Sequence, residues 1–443
     1  MLLTLKQIAD ATGGELHGVA EITGINNDSR KIKKGDLYVA IVGERVDGHD
    51  FIDSAFENGA VAVLCQKPCD KPCVVVKNTI TAFLDIARYY RTLFNSAVIG
   101  VTGSVGKTTT KDMIACVLES KYKTLKTQGN LNNAIGLPLT LFNLTEDIQT
   151  AVIEMGMDGK GQISALSKAA KPDAAVITNI GYSHIGLLGS REAIMDAKLE
   201  ILDGMETNAP MILNADDDLL VSFSDESRPL VFFGIDNPHC DVRAINIDLK
   251  SESTDFEIIY DGKSYPATIP TVGKHNVYDA LAAFCVGLVC NVPIDDIIKS
   301  LRNYVPSGMR QRVEKRGDVT VIIDCYNASP TSMDASMSVL SRQNGRKIAV
   351  LGDMLELGEQ GKTLHENLAD VAKKYGIDLV LCIGDEMKNM SRRAEEINLD
   401  CIHFEEKDAL CDYLKANLAP LDNVLFKGSR GMALEKVIEE VWG

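Results

Sequence analysis

Short apolar runs alternate along the chain with longer segments in which apolar residues recur at helical spacing. The runs predict strands at 37–42, 60–64, 74–76, 96–101, 151–154, 174–178, 211–213, 319–323, 347–351, 379–383 and 424–426. The periodic segments predict helices at 81–94, 108–118, 276–289 and 293–301, because their apolar positions fall on one helical face. Apolar strands separated by helices favour mostly parallel sheets that are covered on both faces. The predicted fold class is therefore α/β.

Three domains are predicted from shifts in this pattern. Residues 1–95 mix short strands and helices and predict a small mixed α/β domain. Residues 96–306 open with a strand, a Gly-rich turn and a helix, and predict a central phosphate-loop domain with a mostly parallel sheet and a β-rich part at 230–270. Residues 307–443 repeat strands and helices in the manner of a doubly wound, Rossmann-like domain. The Pro- and Gly-containing segment 306–310 is the predicted hinge.

Charge and composition narrow the range of partners. The chain of 443 residues has 46 Lys and Arg against 62 Asp and Glu, a formal net charge of −16. This excess repels a nucleic-acid backbone, so no nucleic-acid partner is expected. Since no apolar run reaches the roughly 18 residues that span a bilayer, and residues 1–10 lack a signal-peptide pattern, no membrane insertion is expected. The eleven scattered cysteines indicate a reducing cytoplasm rather than a disulfide framework.

The segment 98–110 carries the strongest chemical signal. An apolar strand runs into a Gly-rich turn, and Lys107 and Thr108 begin a helix. Backbone N–H groups in such a turn converge on an anion, while the lysine contacts the β- and γ-phosphates and the hydroxyl binds Mg²⁺. Val101 stands where the general pattern has Gly, and Gly103 supplies the flexibility instead. The residues expected to bind a nucleotide here are Thr102, Gly103, Ser104, Val105, Gly106, Lys107, Thr108 and Thr109.

Three further residues lie where catalysis would require them. Glu154 and His184 follow predicted strands, and Lys198 lies on a predicted helix. Carboxyl ends of strands line the same rim of an open α/β sheet that holds the phosphate loop. Glu154 and His184 are candidate ligands of a second Mg²⁺, although imidazole is an unusual ligand for a hard cation. The structural alternatives are a helix-capping acid, a hydrogen-bonded turn histidine and a solvated lysine.

Cys65, Cys69 and Cys73 share a four-residue spacing that would permit a metal cluster. Pro68 and Pro72 lie between them, and the neighbouring sequence offers no fourth ligand. Because zinc sites in proteins usually use four ligands, the sequence disfavours a metal site here.

Motifs along the whole chain are similar to those of one enzyme family. They lie at 28–36, 43–50, 102–108, 129–138, 154–156, 178–184, 197–198, 273–276, 324–330, 351–358 and 427–430. On these residues the chain resembles the ATP-dependent Mur ligases of peptidoglycan synthesis. The segments 129–138, 324–330 and 351–358 point to the branch of that family that adds D-alanyl-D-alanine.

The resemblance implies an ATP-driven amide ligation. The terminal carboxylate of a UDP-N-acetylmuramoyl-tripeptide would take the γ-phosphoryl group of ATP, and the amino group of D-alanyl-D-alanine would then displace phosphate. The first domain would bind the UDP substrate, the central domain ATP, and the third domain the nucleotide and the dipeptide. Two Mg²⁺ ions are implied, at Thr108 and at Glu154 with His184, and Lys198 would be carbamylated and help to order the metal site. A monomer is expected.

Further residues of this chain match positions that contact the nucleotide or the substrate in the family. Asn276 matches an adenine contact, with a helix N-cap as the alternative. Asp324 matches a ribose contact and Arg310 a phosphate contact, with Arg312 as the alternative to Arg310. The uridine diphosphate site is matched by Ser29 and Arg30, the sugar–peptide site by Asn130, Asn132 and Asn133, and the dipeptide site by Asn327, Ser329 and Arg430. The alternatives for these three groups are a surface cation, a turn cluster and a surface arginine.

Other functions stay open on the sequence alone. A related ligase of the Mur or folylpolyglutamate type would use a different acceptor. A phosphate-loop NTPase switch would hydrolyse the nucleotide with neither a carboxylate nor an amine acceptor, and a silent nucleotide-binding scaffold is disfavoured by the intact phosphate loop. For a ligase, closure about 306–308 is expected to bring the third domain over the phosphate loop and to exclude water.

Overall fold

Four β-sheets and the helices around them form the described part of the chain, which in this computed structural model comprises residues 2–43, 45–306 and 308–443. The strands are β1 (Leu3–Thr4), β2 (Glu15–His17), β3 (Glu21–Ile22), β4 (Gly24–Asn26), β5 (Asp36–Val39), β6 (Ala62–Cys65), β7 (Cys73–Val75), β8 (Ala97–Thr102), β9 (Thr124–Lys126), β10 (Thr150–Glu154), β11 (Ala174–Ile177), β12 (Met211–Asn214), β13 (Leu230–Gly234), β14 (Val242–Leu249), β15 (Thr254–Tyr260), β16 (Lys263–Ile269), β17 (Arg312–Arg316), β18 (Val319–Ile323), β19 (Lys347–Gly352), β20 (Leu379–Ile383), β21 (Cys401–Phe404) and β22 (Asn423–Lys427). The α-helices are α1 (Leu5–Thr12), α2 (Ile52–Glu57), α3 (Thr79–Arg91), α4 (Lys107–Glu119), α5 (Gly136–Leu141), α6 (Gln162–Ala170), α7 (Ile185–Leu188), α8 (Arg191–Leu199), α9 (Lys274–Val289), α10 (Ile294–Arg302), α11 (Pro330–Ser341), α12 (Gly361–Lys374), α13 (Met387–Glu396), α14 (Lys407–Asn417) and α15 (Glu435–Trp442). Short 3₁₀ turns occur at Ser29–Lys31, Gly48–Phe51, Glu200–Gly204, Leu220–Ser222, Gly358–Gln360 and Arg430–Met432.

The first sheet has the order β2-β7-β6-β5-β4, and a separate antiparallel pair joins β1 to β3. Strands β4 to β7 are parallel neighbours, and β2 is antiparallel to β7. Helix α3 attaches this unit to the central one, because the Phe83 and Tyr90 rings lie 5.5 and 5.7 Å from the Phe142 ring.

The central sheet has nine strands in the order β16-β15-β14-β13-β12-β11-β8-β10-β9. The seven strands from β14 to β9 in this order are parallel neighbours, and β14, β15 and β16 continue the sheet as antiparallel strands. The prediction of β-structure at 230–270 is therefore confirmed. Strands β8, β10, β11 and β12 are almost entirely buried, as expected of parallel strands that are covered on both faces.

The third sheet has the order β17-β18-β22-β19-β20-β21, with β17 as its antiparallel edge strand and the others parallel. The observed β18 and β20 coincide with the predicted strands, and the predicted α/β fold class is confirmed. The sequence pattern did not predict β17 and β21, because these edge strands are short and only partly buried. The predicted hinge includes Ser307, which lies outside the described residues, and the proposed domain boundaries stay predictions.

None of the helices in the described ranges is long and apolar enough to cross a membrane.

Candidate active site

A cleft of about 1130 Å³ opens between the central unit and the third unit, at the carboxyl ends of the central parallel strands. Most of the predicted site residues line it: Ser104, Val105, Gly106, Lys107, Thr108, Thr109, Asn130, Asn132, Asn133, Glu154, His184, Asn276, Arg310, Asp324, Asn327, Ser329 and Arg430. Within the described ranges, five predicted residues are not part of the lining: Ser29, Arg30, Thr102, Gly103 and Lys198. The fold therefore gathers, around one cavity, residues that are far apart in the sequence.

Two glycines shape the phosphate loop between β8 and α4. Gly103 has φ +149°, and a Cβ atom there would collide with the Thr178 side chain. Gly106 has φ +88°, and a Cβ atom there would lie 2.8 Å from Asp279 Oδ1. Both positions lie in the backbone region that favours glycine. Val101 lies within β8, so the departure from the general motif falls in the strand and not in the turn.

The segment that follows β11 braces the phosphate loop. The Ser104 and Val105 amides donate to the carbonyl and the side-chain oxygen of Asn179, both at 3.0 Å. The Thr178 hydroxyl donates to the Val105 carbonyl at 2.6 Å. Sequence reasoning did not assign a site role to Asn179. Its position directly after a buried strand was the available signal.

Lys107 and Thr108 begin α4 at the edge of the cleft. Lys107 Nζ donates to the Gly103 carbonyl at 2.7 Å, and burial, aided by the Arg310 charge, lowers the pKa of Lys107 while Glu154 opposes this. The Thr108 hydroxyl donates to Glu154 Oε2 at 2.9 Å. The two expected metal-binding oxygens on α4 and β10 are therefore in direct contact.

Glu154 is held from three sides. It is 2% exposed, and Asn132 Nδ2 donates to its Oε1 at 2.7 Å. The Lys111 ammonium, also buried, lies 3.9 Å from Oε2. Because Glu154 ends β10 and no helix begins there, the helix-capping alternative is wrong.

His184 joins the central unit to the third unit. Its Nδ1 lies 2.8 Å from the Glu356 carboxylate, and its φ of +66° is a left-handed backbone conformation at the start of α7. Burial lowers the pKa of His184, although the Glu356 charge opposes this. The neutral imidazole that burial favours is the form that can bind a metal ion.

Lys198 is 2% exposed, so the solvated-lysine alternative is wrong. Burial, with a further contribution from the Lys107 charge, holds the pKa of Lys198 well below its ordinary value of 10.5. Among the described residues we find no hydrogen-bond or ion-pair partner for its amine. A buried ammonium without a partner is costly, which favours the neutral amine.

Asn276 lies inside α9, whose N-cap is Gly273, so the N-cap alternative is wrong. Its Nδ2 donates to the Val272 carbonyl at 3.0 Å and to Gln311 Oε1 at 2.8 Å. Gln311, in the left-handed region with φ +48°, follows the predicted hinge. Sequence reasoning missed this contact between the two units, because nothing local indicates it.

The structure distinguishes Arg310 from Arg312 by their positions relative to the cleft. The Arg310 guanidinium lies 4.3 Å from the centre of the Tyr326 ring in the cleft. Arg312 lies on the edge strand β17 and pairs with Glu314 at 2.7 Å. Of the two, only Arg310 lines the cleft.

Asp324 lies just after β18 and contacts a buried lysine. Lys427 Nζ donates to Asp324 Oδ2 at 2.8 Å and to the Asn327 carbonyl at 3.1 Å. Ser329 is the N-cap of α11. Arg430 lines the cleft, and its half-exposed side chain pairs with Glu435 at 2.8 Å.

The two predicted contacts of the uridine diphosphate group, Ser29 and Arg30, are not part of the cleft lining. Ser29 is buried, whereas the Arg30 side chain is 86% exposed and pairs with Asp28 at 2.9 Å. Asn133, which lines the cleft, accepts the Ile135 and Gly136 amides in a turn.

Asp279 is a buried acid that sequence reasoning also missed. Its Oδ1 accepts the Thr110 hydroxyl at 2.5 Å. Burial raises the pKa of Asp279 to about 7, although Thr110 and Arg310 act in the opposite direction. The residue stands alone on an apolar stretch of α9, and its relation to the phosphate loop depends on how α4 and α9 pack.

Known proteins share both the sequence and the fold. Three models of the Mur ligases match: the family's catalytic domain at 21–91, its middle domain at 101–287, and its glutamate ligase domain at 310–430. The UDP-N-acetylmuramoyl-tripeptide–D-alanyl-D-alanine ligase of Bacillus subtilis is 39% identical, over 99% of this chain and 98% of that protein. A crystal structure of MurF from Acinetobacter baumannii has a TM-score of 0.94 at 31% identity, over 100% of this chain and 99% of that one. MurF from Thermotoga maritima, solved in complex with ADP, has a TM-score of 0.85 at 31% identity, over 94% and 96%. The chain belongs to the Mur ligase family.

Proposed function

We propose that the protein is an ATP-dependent ligase that joins D-alanyl-D-alanine to UDP-N-acetylmuramoyl-tripeptide. The observation that carries the proposal is the likeness, along nearly the whole chain, to a Bacillus subtilis ligase of that name. The Thermotoga maritima relative, solved with ADP, supports use of ATP. The contact of Thr108 with Glu154 beside Lys107 provides suitable groups for phosphoryl transfer.

The donor set fits Mg²⁺. The Thr108 hydroxyl and the Glu154 carboxylate are buried oxygen donors in contact, and Mg²⁺ prefers oxygen ligands. We assign one ion to Thr108 and a second to Glu154 and His184. Bound Mg²⁺ neutralises charge on the phosphoryl group that is transferred.

The reaction proceeds in two displacements. A carboxylate oxygen of the tripeptide attacks the γ-phosphorus of ATP, and the bond to the bridging oxygen breaks to release ADP. The dipeptide nitrogen then attacks the acyl carbon, phosphate leaves with the C–O electron pair, and the nitrogen loses a proton. Because both reactants of the first step are anions, Lys107 and Arg310, which both line the cleft, supply the positive charge that brings them together.

Lys198 is proposed to carry a carbamate. Its neutral amine adds to CO₂, forming an N–C bond and releasing one proton, so that a carboxylate-like anion replaces a potential cation near Lys107. The low pKa of Lys198 that burial causes favours the reactive neutral amine. An anion there helps to order the metal site, whereas an ammonium would repel Mg²⁺.

The remaining walls are assigned to substrate recognition. Asn276, Arg310 and Asp324 are proposed to hold the nucleotide base, phosphate and ribose, together with the phosphate-loop residues 102–109. The other assignments are Ser29 and Arg30 for uridine diphosphate, Asn130, Asn132 and Asn133 for the sugar–peptide portion, and Asn327, Ser329 and Arg430 for the dipeptide. We further propose that the enzyme acts as a monomer in the cytoplasm, without nucleic acid.

Phosphate release with ATP and Mg²⁺ tests the proposal when each acceptor is left out in turn. Steady turnover should require both the muramoyl tripeptide and D-alanyl-D-alanine. Lys107→Ala should lower turnover by about 100-fold or more, while the exposed Lys436→Ala serves as the matched control and should behave as wild type. Turnover with neither acceptor would indicate an NTPase switch, and preference for another amine in an acceptor panel would indicate a different ligase of the family.

A further inference from the structure

Three thiols meet in the first unit, away from the cleft. Cys65 ends β6, Cys73 begins β7, and Cys69 lies in the connection between them. The three sulfur atoms all lie within 4.8 Å of one another. Cys65 and Cys73 are buried and Cys69 is partly exposed. Solvent therefore reaches the cluster only from the side of Cys69.

The connection between β6 and β7 is what brings the thiols together. These strands are parallel neighbours, with Val63 paired to Cys73 and Cys65 to Val75. Parallel neighbours are ordinarily joined by a crossover of about a dozen residues or more, but here only residues 66–72 lie between them. The chain must turn back sharply, and Pro68 and Pro72 restrict its backbone. The prolines that made a metal site improbable from the sequence therefore help to preorganise the cluster.

The geometry of the cluster suits a soft cation. Two sulfurs bound at about 2.3 Å to one tetrahedral Zn²⁺ lie about 3.8 Å apart, so small rotations of the side chains would bring the thiols to ligand distance. The connection also carries charges of both signs, since Lys71 Nζ lies 3.5 Å from the Asp53 carboxylate and 3.7 Å from that of Asp70.

We propose that Cys65, Cys69 and Cys73 form a three-thiolate site for a thiophilic divalent metal ion of the Zn²⁺ class. Binding forms three metal–sulfur bonds and releases three protons to solvent. The 2+ ion and three thiolates leave a single negative charge on the site. Solvent on the Cys69 side supplies the remaining ligand, as in zinc sites that keep an open position.

The site is connected to the loop that carries a family motif. The amide of Gln66, next to Cys65, donates to His49 Nε2 at 2.9 Å, and His49 Nδ1 lies 2.6 Å from Asp47 Oδ1. A bound ion therefore anchors the connection that positions His49. The alternative is that the three cysteines only fill the apolar core that they share with Val63 and Ala55, since free cysteine is commonly a buried small apolar residue.

Cadmium titration of the full-length protein, reduced and freed of metal, tests the proposal through the near-ultraviolet absorption of sulfur-to-cadmium charge transfer. The wild type should bind one Cd²⁺ per chain, with three Cd–S bonds by X-ray absorption, and prior loading with Zn²⁺ should slow Cd²⁺ uptake without preventing it, because thiolates favour the softer ion. Cys69→Ser should weaken binding at least about 30-fold, because it removes one of the three thiolates. Cys401→Ser is the matched control, since Cys401 is also partly exposed and its sulfur lies 3.7 Å from that of Cys382.

Equal Cd²⁺ affinity in wild type and Cys69→Ser would overturn the proposal, as would a loss confined to Cys401→Ser. Several weak ions per chain in every variant would also overturn it, because that pattern indicates adventitious binding. Circular dichroism and the Tm of the metal-free protein, both unchanged from wild type, establish that Cys69→Ser is folded. If two of these cysteines form a disulfide and the reduced protein binds no metal, the proposal is also overturned, because the cluster is then a redox pair and not a metal site.

Discussion

Replacing Asp279 by Asn should stabilise the protein, and more so at alkaline pH than at acidic pH. Asp279 is 6% exposed, in the packing between α4 and α9, and accepts the Thr110 hydroxyl at 2.5 Å. Burial raises its pKa from the ordinary 3.8 to about 7, although the hydrogen bond from Thr110 and the charge of Arg310 oppose this. An Asn side chain is neutral at every pH and retains an oxygen that can accept the Thr110 hydroxyl.

The sign and size of the effect follow from proton linkage. Between pH 3.8 and about 7 the folded protein holds a proton on Asp279 that the unfolded chain has lost, so the free energy of unfolding falls as pH rises through this range. At about 1.4 kcal/mol for each pH unit, the full loss is about 4 kcal/mol. About 1.5 kcal/mol of it is already present at pH 5, so the advantage of Asn should grow by about 2 to 3 kcal/mol between pH 5 and pH 8.5.

Thermal unfolding of wild type and Asp279→Asn at pH 5 and pH 8.5 measures this difference. The gap in Tm should widen by about 2–3 °C at the higher pH, at roughly 1 °C for each kcal/mol in a chain of 443 residues. Asp412→Asn, an exposed position on α14, is the control and should show no such widening. A Tm of Asp279→Asn that falls equally at both pH values would refute the reasoning, because it would mean that the ionised carboxylate stabilises the fold.

Three other predictions concern the cleft. Lys198→Ala should lose about 100-fold or more in turnover and recover part of it with small carboxylic acids; full activity without the acid would exclude a carbamate from the mechanism. Arg310→Ala should raise the KM for ATP about 10-fold or more by loss of a charge-assisted contact, while Arg312→Ala should leave this KM unchanged. Equal effects of the two substitutions on the KM for ATP would contradict the assignment of Arg310. Glu356→Ala should open the cleft, because it removes the 2.8 Å contact with His184; an unchanged radius of gyration by X-ray scattering would show that this contact does not hold the units together.

The phosphate loop could be predicted because its chemistry is local. An apolar strand, two glycines and Lys107 with Thr108 lie within a few residues of one another, and each acts through its own backbone or side chain. The buried strands of the second and third sheets were predictable for a related reason. Strands that are buried on both faces are apolar throughout, and this pattern is visible without knowing the neighbours.

Contacts between distant segments were not predictable in this way. Asn276 was open to interpretation as an N-cap, and only the observed start of α9 excludes it. The residues next to Lys198 in the sequence are like those next to a surface lysine. Its side chain is buried because other elements of the fold pack over it. The choice between Arg310 and Arg312 was left open because the sequence does not show where β17 begins; Arg310 precedes that strand and lines the cleft, whereas Arg312 begins it.

The sequence by itself determined the α/β class, the phosphate loop and the family, since these depend on periodicity and on motifs within short segments. Only the tertiary structure decided that Lys198 is buried, that Glu154 touches Thr108, that Gln311 reaches Asn276, and that three thiols converge between β6 and β7. The physical reason is that burial and side-chain contact are set by segments far apart in the chain, so that no local pattern of residues records them.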